Sequence, residues 1–321
     1  MMRTIVHTDY RTDSLHLEER PRPGIAPTEV LVRVAGAGVD RGTWHLVTGT
    51  PALIRLGSGL RHPRQPVPGS ELSGTVERVG EKVTRFAPGD HVFGVGRGTW
   101  AEYAVAAEDG LAPAPESSPL ADVAVLGVSG VTAFGAVGAA RVRAGSTVLV
   151  LGASGGVGTH VVQLATARGG LVTAVCSGAK VDVVRGLGAR RVLDYEKGED
   201  IDAGDFDAVI DLGGNRSLST LASYLTRGGT VVIVGGEQDG GGLLGGYGRQ
   251  LSAPVVGTLT GRRLRGLTSA TRAGELAELA TLVDAGQLRP VVDRRLPLER
   301  AGEALRLLEQ GKVTGKIVLT P

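Results

Sequence analysis

The chain has 321 residues, a formal net charge of +2, 42% hydrophobic residues and one cysteine, Cys176. That length suits about two domains. The interspersed charge leaves no nucleic-acid footprint, and a lone cysteine excludes internal disulfides and a four-cysteine zinc lobe.

No apolar run reaches the length of a transmembrane helix. The first twenty residues alternate like a strand pair and lack a signal-peptide core. The expectation is a cytoplasmic protein that engages neither nucleic acid nor membrane. Leu15–Glu18 and Glu29–Ala35 read as alternating strands joined by Pro21–Pro27. Gly36–Gly49 (GAGVDRGTWHLVTG) reads as a loop and a short helical turn, and the basic, proline-bearing stretch Leu53–Pro68 as an exposed excursion. Turn-and-strand segments follow at Pro68–Gly80 and Phe86–Val95, with a strand at Thr99–Val105. Short strands between Gly/Pro turns predict a small, partly closed barrel. Leu111–Pro119 is a proline-rich connector, and Pro119–Ala140 reads as a helix broken near Ser129 and Gly130.

The stretch Ser146–Ala165 (STVLVLGASGGVGTHVVQLA) is the centre of the second half. Val148–Leu151 is an apolar, β-branched run of the kind a strand buried on both faces needs. Gly152, Ala153, Ser154, Gly155, Gly156, Val157 and Gly158 form a glycine-rich turn, and Val161, Val162, Leu164 and Ala165 give a helical apolar stripe. Strand, glycine loop and helix make a phosphate cradle, because the glycines permit close backbone approach and the helix start presents N–H groups. The spacing is a variant of G-x-G-x-x-G, with Ala153 at its second glycine.

Strands then read at Leu171–Cys176, Arg191–Tyr195, Asp207–Leu212 and Thr230–Val234, with a further one at Leu264–Thr268. Helices read at Ala179–Leu187 and Ser217–Leu225. The alternation predicts a doubly wound parallel sheet. Gly235–Gly248 (GGEQDGGGLLGGYG) is too glycine-rich for regular structure and reads as a loop or lid. Ala273–Ala285 and Leu298–Glu309 read as helices, and Val291–Leu296 and Lys316–Leu319 as strands. No helix follows the last strand, so it is expected to rejoin the N-terminal barrel. The expected domains are 1–118, 119–270, and a returning segment 271–321.

These pieces in this order resemble the medium-chain dehydrogenase/reductase superfamily, and most of all its zinc-free quinone oxidoreductase-like branch. The matching stretches are Gly38–Gly49, Pro68–Gly80, Phe86–Gly94, Gly152–Ala165, Leu187–Tyr195 and Gly315–Leu319. The resemblance implies an α/β architecture: a GroES-like, partly closed β-barrel domain plus a Rossmann domain with a doubly wound parallel sheet. It also implies a nicotinamide cofactor, a small-molecule quinone or enone as substrate, and a homodimer. Zinc-dependent relatives place a cysteine where Asp40 sits, and Gly-His-Glu where this chain has Gly69-Ser70-Glu71. A zinc site needs three converging protein ligands. Asp40, Ser70 and Glu71 are a poor set, and His45 alone is no site, so no catalytic metal is expected.

An NAD site offers Asp or Glu to the ribose hydroxyls at the tip of its second strand. Here that strand runs into Cys176-Ser177-Gly178-Ala179-Lys180, with no carboxylate. Ser177 and Lys180 suit a 2′-phosphate, and Tyr195 matches a family position near it, so the cofactor is read as NADPH. The alternative is that Ser177 caps a helix and Lys180 is solvated. Cys176 reads as a plain buried thiol. The resemblance puts Asp40 and Thr132 near the nicotinamide, and Gly213, Gly235 and Gly236 among the cofactor contacts. Asp40, Trp44 and Tyr247 are the candidate catalytic residues. Asp40 reads equally as a turn residue, Trp44 as a loop anchor and Tyr247 as a solvated side chain.

In such a site hydride passes to an electrophilic carbon held in near-attack geometry, and polar groups stabilise the anion that develops. An NADPH-dependent quinone or enone reductase is the leading reading. A carbonyl or alcohol oxidoreductase of the same fold, or a nucleotide-binding protein with a non-redox role, stands beside it.

Overall fold

The computed structural model describes residues 1–235, 247–267 and 271–321. The chain divides into two compact units, Met1–Val131 with Thr271–Pro321, and Thr132–Ala270. In chain order the elements of the first stretch are β1 (Met2–Val6), β2 (His16–Arg20), β3 (Glu29–Val39), α1 (Arg41–Thr48), α2 (Arg55–Ser58), β4 (Glu71–Val79), β5 (His91–Val95), β6 (Tyr103–Ala107), β7 (Leu111–Pro113), α3 (Leu120–Val123) and α4 (Ser129–Ala139). There follow β8 (Thr147–Leu151), α5 (Gly156–Ala167), β9 (Leu171–Cys176), α6 (Val181–Arg185), β10 (Arg191–Asp194), β11 (Phe206–Asp211), α7 (Leu218–Ser223), β12 (Leu225–Ile233), α8 (Tyr247–Thr260) and β13 (Arg263–Gly266). The chain closes with α9 (Ala273–Asp284), β14 (Val292–Pro297), α10 (Ala301–Glu309) and β15 (Lys316–Thr320).

The first unit is built on β3. It pairs antiparallel with β4 along one edge; along the other it pairs with β6 through its first half and with β15 through its second. The sheet order is β14-β15-β3-β4-β5-β7, and β1 and β2 form a separate antiparallel pair. The last strand therefore returns to the sheet that β3 to β7 build. Apolar residues of β3 alternate into a core with Leu72, Trp100, Leu296, Leu305 and Ile317. The expected strand at Thr99–Val105 lies later, at β6. Trp100 instead turns wholly inward, its indole N–H donating to Gly38 O at 3.2 Å. The excursion Leu53–Pro68 is partly ordered, its start folding into a 3-10 turn and α2.

The second unit is a parallel sheet of order β10-β9-β8-β11-β12-β13. In order of appearance that is 3-2-1-4-5-6, the doubly wound arrangement whose strand order reverses beside β8. Leu149, Leu151, Val175, Val209, Val231 and Ile233 give it a dry core because both sheet faces are covered. Among the described residues no single helix is long and apolar enough to cross a membrane. Helix α8 was not expected: Pro254 inside it forfeits a backbone donor, and such punctuation reads as loop. It takes Tyr247 and Gly248 out of the expected glycine loop, while residues 236–246 lie outside the described residues.

Candidate functional site

In the second unit, β8 delivers the chain to Gly152, whose φ of +78° is open to glycine without strain. The Gly155 N–H turns back onto Gly152 O at 3.2 Å. Gly155 is the N-cap of α5 and brings no side chain to it, so the first-turn donors of the helix have no cap of their own. A Cβ on Gly158 would strike the Gly152 carbonyl and the Ala153 backbone. The helix meets the loop this closely only because that position is glycine. Ala153 and Ser154 are buried, and the Ala153 N–H reaches Val175 O at 3.1 Å, tying the loop to β9. Val157 is half-buried in the first turn of the helix. Gly152 to Gly158 thus form one cradle that fits the pyrophosphate of a dinucleotide.

Gly213, beyond β11, comes to the same edge, its N lying 3.2 Å from where a Cβ on Gly152 would be. Asp211 fixes this turn, its Oδ1 accepting the N–H groups of Gly213 and Gly214 at 3.2 and 3.3 Å. The other carboxylate oxygen takes Arg249 Nη2 at 2.8 Å, which pins the start of α8 to β11. Neither Asp211 nor Arg249 was singled out from the sequence. Gly235 follows β12 and is half-buried, and Gly236 lies outside the described residues. Tyr247 opens α8, and its side chain is likewise outside the description. Thr132 is half-buried on α4.

At the tip of β9, burial pushes the Cys176 thiol up to about 11, with Asp194 adding to the effect and Lys180 opposing it. It carries no thiolate at neutral pH. Ser177 heads a 3-10 turn, Gly178–Lys180, but its side chain makes no capping bond. The capping alternative therefore fails. Lys180 is half-buried, and Tyr195 is exposed at the start of the turn after β10. The expectation of a tip without carboxylates is corrected. The parallel register sets Asp194 beside Cys176, and the Asp194 carboxylate lies against Gly178. Glu196 Oε2 accepts the Gly178 N–H at 3.3 Å. Both acids come from β10 and the turn after it, so reading β9 alone could not find them.

In the first unit, Asp40 is the N-cap of α1. Its Oδ1 accepts the Thr43 N–H at 2.7 Å, and its Oδ2 accepts the hydroxyls of Thr43 at 3.1 Å and Ser70 at 3.4 Å. The turn-residue reading is realised: Asp40 is 7% exposed and is an acceptor in every one of these bonds. Trp44 packs against the core of this unit with its ring edge-on to His45, 5.0 Å between centroids. Its Nε1 is buried without a hydrogen-bond partner among the described residues. It is therefore both an anchor and a buried donor. Beside them lies a cluster that sequence reasoning missed. Lys316 Nζ pairs with Glu71 Oε1 and donates to Ser129 Oγ at 3.1 Å, and Glu71 Oε2 accepts the Val128 N–H at 3.0 Å. The faint signal was a lysine leading an otherwise apolar strand, KIVLT.

These residues do not fit zinc. Glu71 is already neutralised by an ammonium, Asp40 is a hard oxygen ligand already holding three donors, and Ser70 is a weak ligand. Among the described residues no group of three His, Cys, Asp or Glu side chains converges.

Residues 26–116 match the family described as "Alcohol dehydrogenase GroES-like domain", and residues 187–319 the one described as "Zinc-binding dehydrogenase". The chain is 34% identical over 314 residues to a quinone oxidoreductase of Mus musculus, covering 91% of this chain and 88% of that one. Among solved structures it is similar to the quinone oxidoreductase of Coxiella burnetii, with a TM-score of 0.86, 28% identity and coverage of 100% and 99%. It is also similar to a mycobacterial protein solved in complex with NADPH, with a TM-score of 0.80, 25% identity and full coverage of both chains.

Proposed function

Since the chain belongs to the medium-chain dehydrogenase/reductase superfamily, in its quinone oxidoreductase-like branch, and is an oxidoreductase of that fold, we propose that it is an NADPH-dependent reductase of quinones or α,β-unsaturated carbonyls that works without zinc. The observation that carries the cofactor part is the cradle at Gly152–Gly158, with the uncapped start of α5 above it. The nicotinamide, when bound, supplies hydride. The chain's residues bind and orient around that event. Gly152 to Gly158 hold the pyrophosphate; Ser177, Lys180 and Tyr195 hold the 2′-phosphate. Thr132, Gly213, Gly235 and Gly236 hold the nicotinamide half. On the substrate side we assign Asp40, Trp44 and Tyr247. Asp40 acts as an acceptor that orients a hydroxyl or a water, and the buried Trp44 Nε1–H is a donor for an oxygen.

NADPH over NADH is supported by a Ser177 hydroxyl not spent on a cap and by the charge of Lys180. Asp194 and Glu196 oppose it, so a 2′-phosphate would have to displace Glu196 from the Gly178 N–H. The zinc-free reading is supported by Lys316 on Glu71. The working form is a cytoplasmic homodimer joined along the β13 edge of the second unit. Support for the dimer comes from α8, whose Leu251, Val255 and Leu259 recur every fourth residue and are 67%, 62% and 82% exposed.

The test is NADPH oxidation with a panel of quinones, enones and aldehydes. Turnover on quinones or enones is expected. Turnover on aldehydes alone would assign a carbonyl reductase, and nucleotide binding without turnover on the whole panel would assign a non-redox role.

A further inference from the structure

Lys316 opens β15 and Glu71 opens β4, on opposite edges of β3. Ile317 stands opposite Val39 and Leu72 opposite Ala37. One residue further along each register, Lys316 falls opposite Asp40 and Glu71 opposite Gly38. A Cβ on Gly38 would lie within the Glu71 carboxylate. The bare glycine of β3 therefore leaves the space in which the carboxylate and the ammonium meet. Lys316 is 2% exposed, Glu71 0% and Asp40 7%.

Two carboxylates and one ammonium are thus shut away from water together. A carboxylate buried in a low dielectric stays charged only with a cation beside it, which Lys316 supplies to Glu71. Asp40 is bonded to Ser70, the residue before Glu71, so the two acids belong to one cluster. Among the described residues, the ammonium is in contact with Glu71 from β4 and the Ser129 hydroxyl of α4, and it feels the charge of Asp40 from the β3–α1 junction. Burial pushes Lys316 down to about 8, and Asp40 pulls it back up.

We infer that Lys316 is the counter-ion that keeps the buried Glu71 carboxylate charged beside the β3–α1 junction, and so positions Asp40 there as a hydrogen-bond acceptor for the reaction. The first half stands on the geometry alone, and the second rests on the reductase reading above. Lys316 is a positioning residue, since it acts through Asp40.

The test compares wild type with K316R, K316M and K316M/E71Q as full-length proteins. Two readouts are used: the infrared band of protonated carboxyl groups at pH 7, and the pH profile of kcat/KM with NADPH and a quinone. No protonated-carboxyl band is expected in wild type or K316R. One is expected in K316M, and it should vanish in K316M/E71Q. In wild type, kcat/KM should decline on the alkaline side as Lys316, lowered by burial, loses its proton. K316R should keep its activity past that point, because a guanidinium does not titrate there. K316M should drop by about tenfold and lose the alkaline limb, the size of a lost charge-assisted contact. If K316M does not fold, K316M/E71Q, which buries no unpaired charge, carries the same prediction of a missing limb. A K316M protein without the band, or either methionine variant with the wild-type limb, overturns the inference. A wild type that reduces no member of the panel fails the reductase reading instead, and leaves the infrared result to decide the counter-ion.

Discussion

At the scale of single residues, the choice between cofactors lies at the tip of β9. Replacing Ser177 and Lys180 by alanine should raise the KM for NADPH by roughly tenfold or more, the size of a lost charged hydrogen bond, and leave NADH nearly unchanged. Steady-state kinetics with both nucleotides reads this directly, and equal effects on the two would dismiss the phosphate assignment. His160 gives a second test. It is wholly buried on α5, and burial pushes it down to about 4 from 6.5, with the Gly156 backbone pulling the other way. Below pH 6.5 the unfolded chain takes a proton that the folded one refuses. Its stabilising contribution is therefore complete above pH 6.5 and is lost as pH falls toward 4, by about 3 kcal/mol. Denaturant titrations of H160Q should show a shallower acid slope than wild type across that window. Parallel slopes would mean that His160 is protonated in the folded state.

At the scale of elements, the glycine loop was legible in the sequence and the charge clusters were not. Gly152 and Gly158 are demanded by a positive φ and a backbone contact, and both constraints act within one strand–loop–helix unit. A local pattern can record a local constraint. Lys316 and Glu71 are 245 residues apart and meet only through strand register. Asp194 and Glu196 reach the tip of β9 from β10 and the turn after it. Helix α8 escaped notice because Pro254 and its glycines read as punctuation although packing on β13 overrides them. The close contact at Gly158 makes a prediction. Gly158→Ala forces the loop away from α5, and should cost about 2 kcal/mol of stability and weaken NADPH binding at least as much as it destabilises the fold. Fluorescence titration together with thermal unfolding measures both. Wild-type nucleotide affinity in this variant would mean that the cradle is not the pyrophosphate site.

At the scale of the whole molecule, alternation of strands and helices was enough to read a doubly wound sheet, and β15 pairs with β3, where the last strand was expected to rejoin the N-terminal barrel. A homodimer was implied by the resemblance alone, because the exposure of Leu251, Val255 and Leu259 on α8 shows only in the fold. Light scattering should find a dimer in wild type and a monomer in V255E, with thermal stability otherwise close to normal. A wild-type monomer, or an unaltered dimer in V255E, would remove α8 from the interface. The proposed reaction is hydride transfer from NADPH without a metal. It is tested most directly by kcat/KM for a quinone with NADPH and with NADH, measured on protein treated with a strong chelator and assayed for zinc. The predicted result is unchanged turnover at negligible zinc content, with NADPH the better donor. Turnover that disappears with the metal and returns on adding zinc, or that favours NADH, would contradict it.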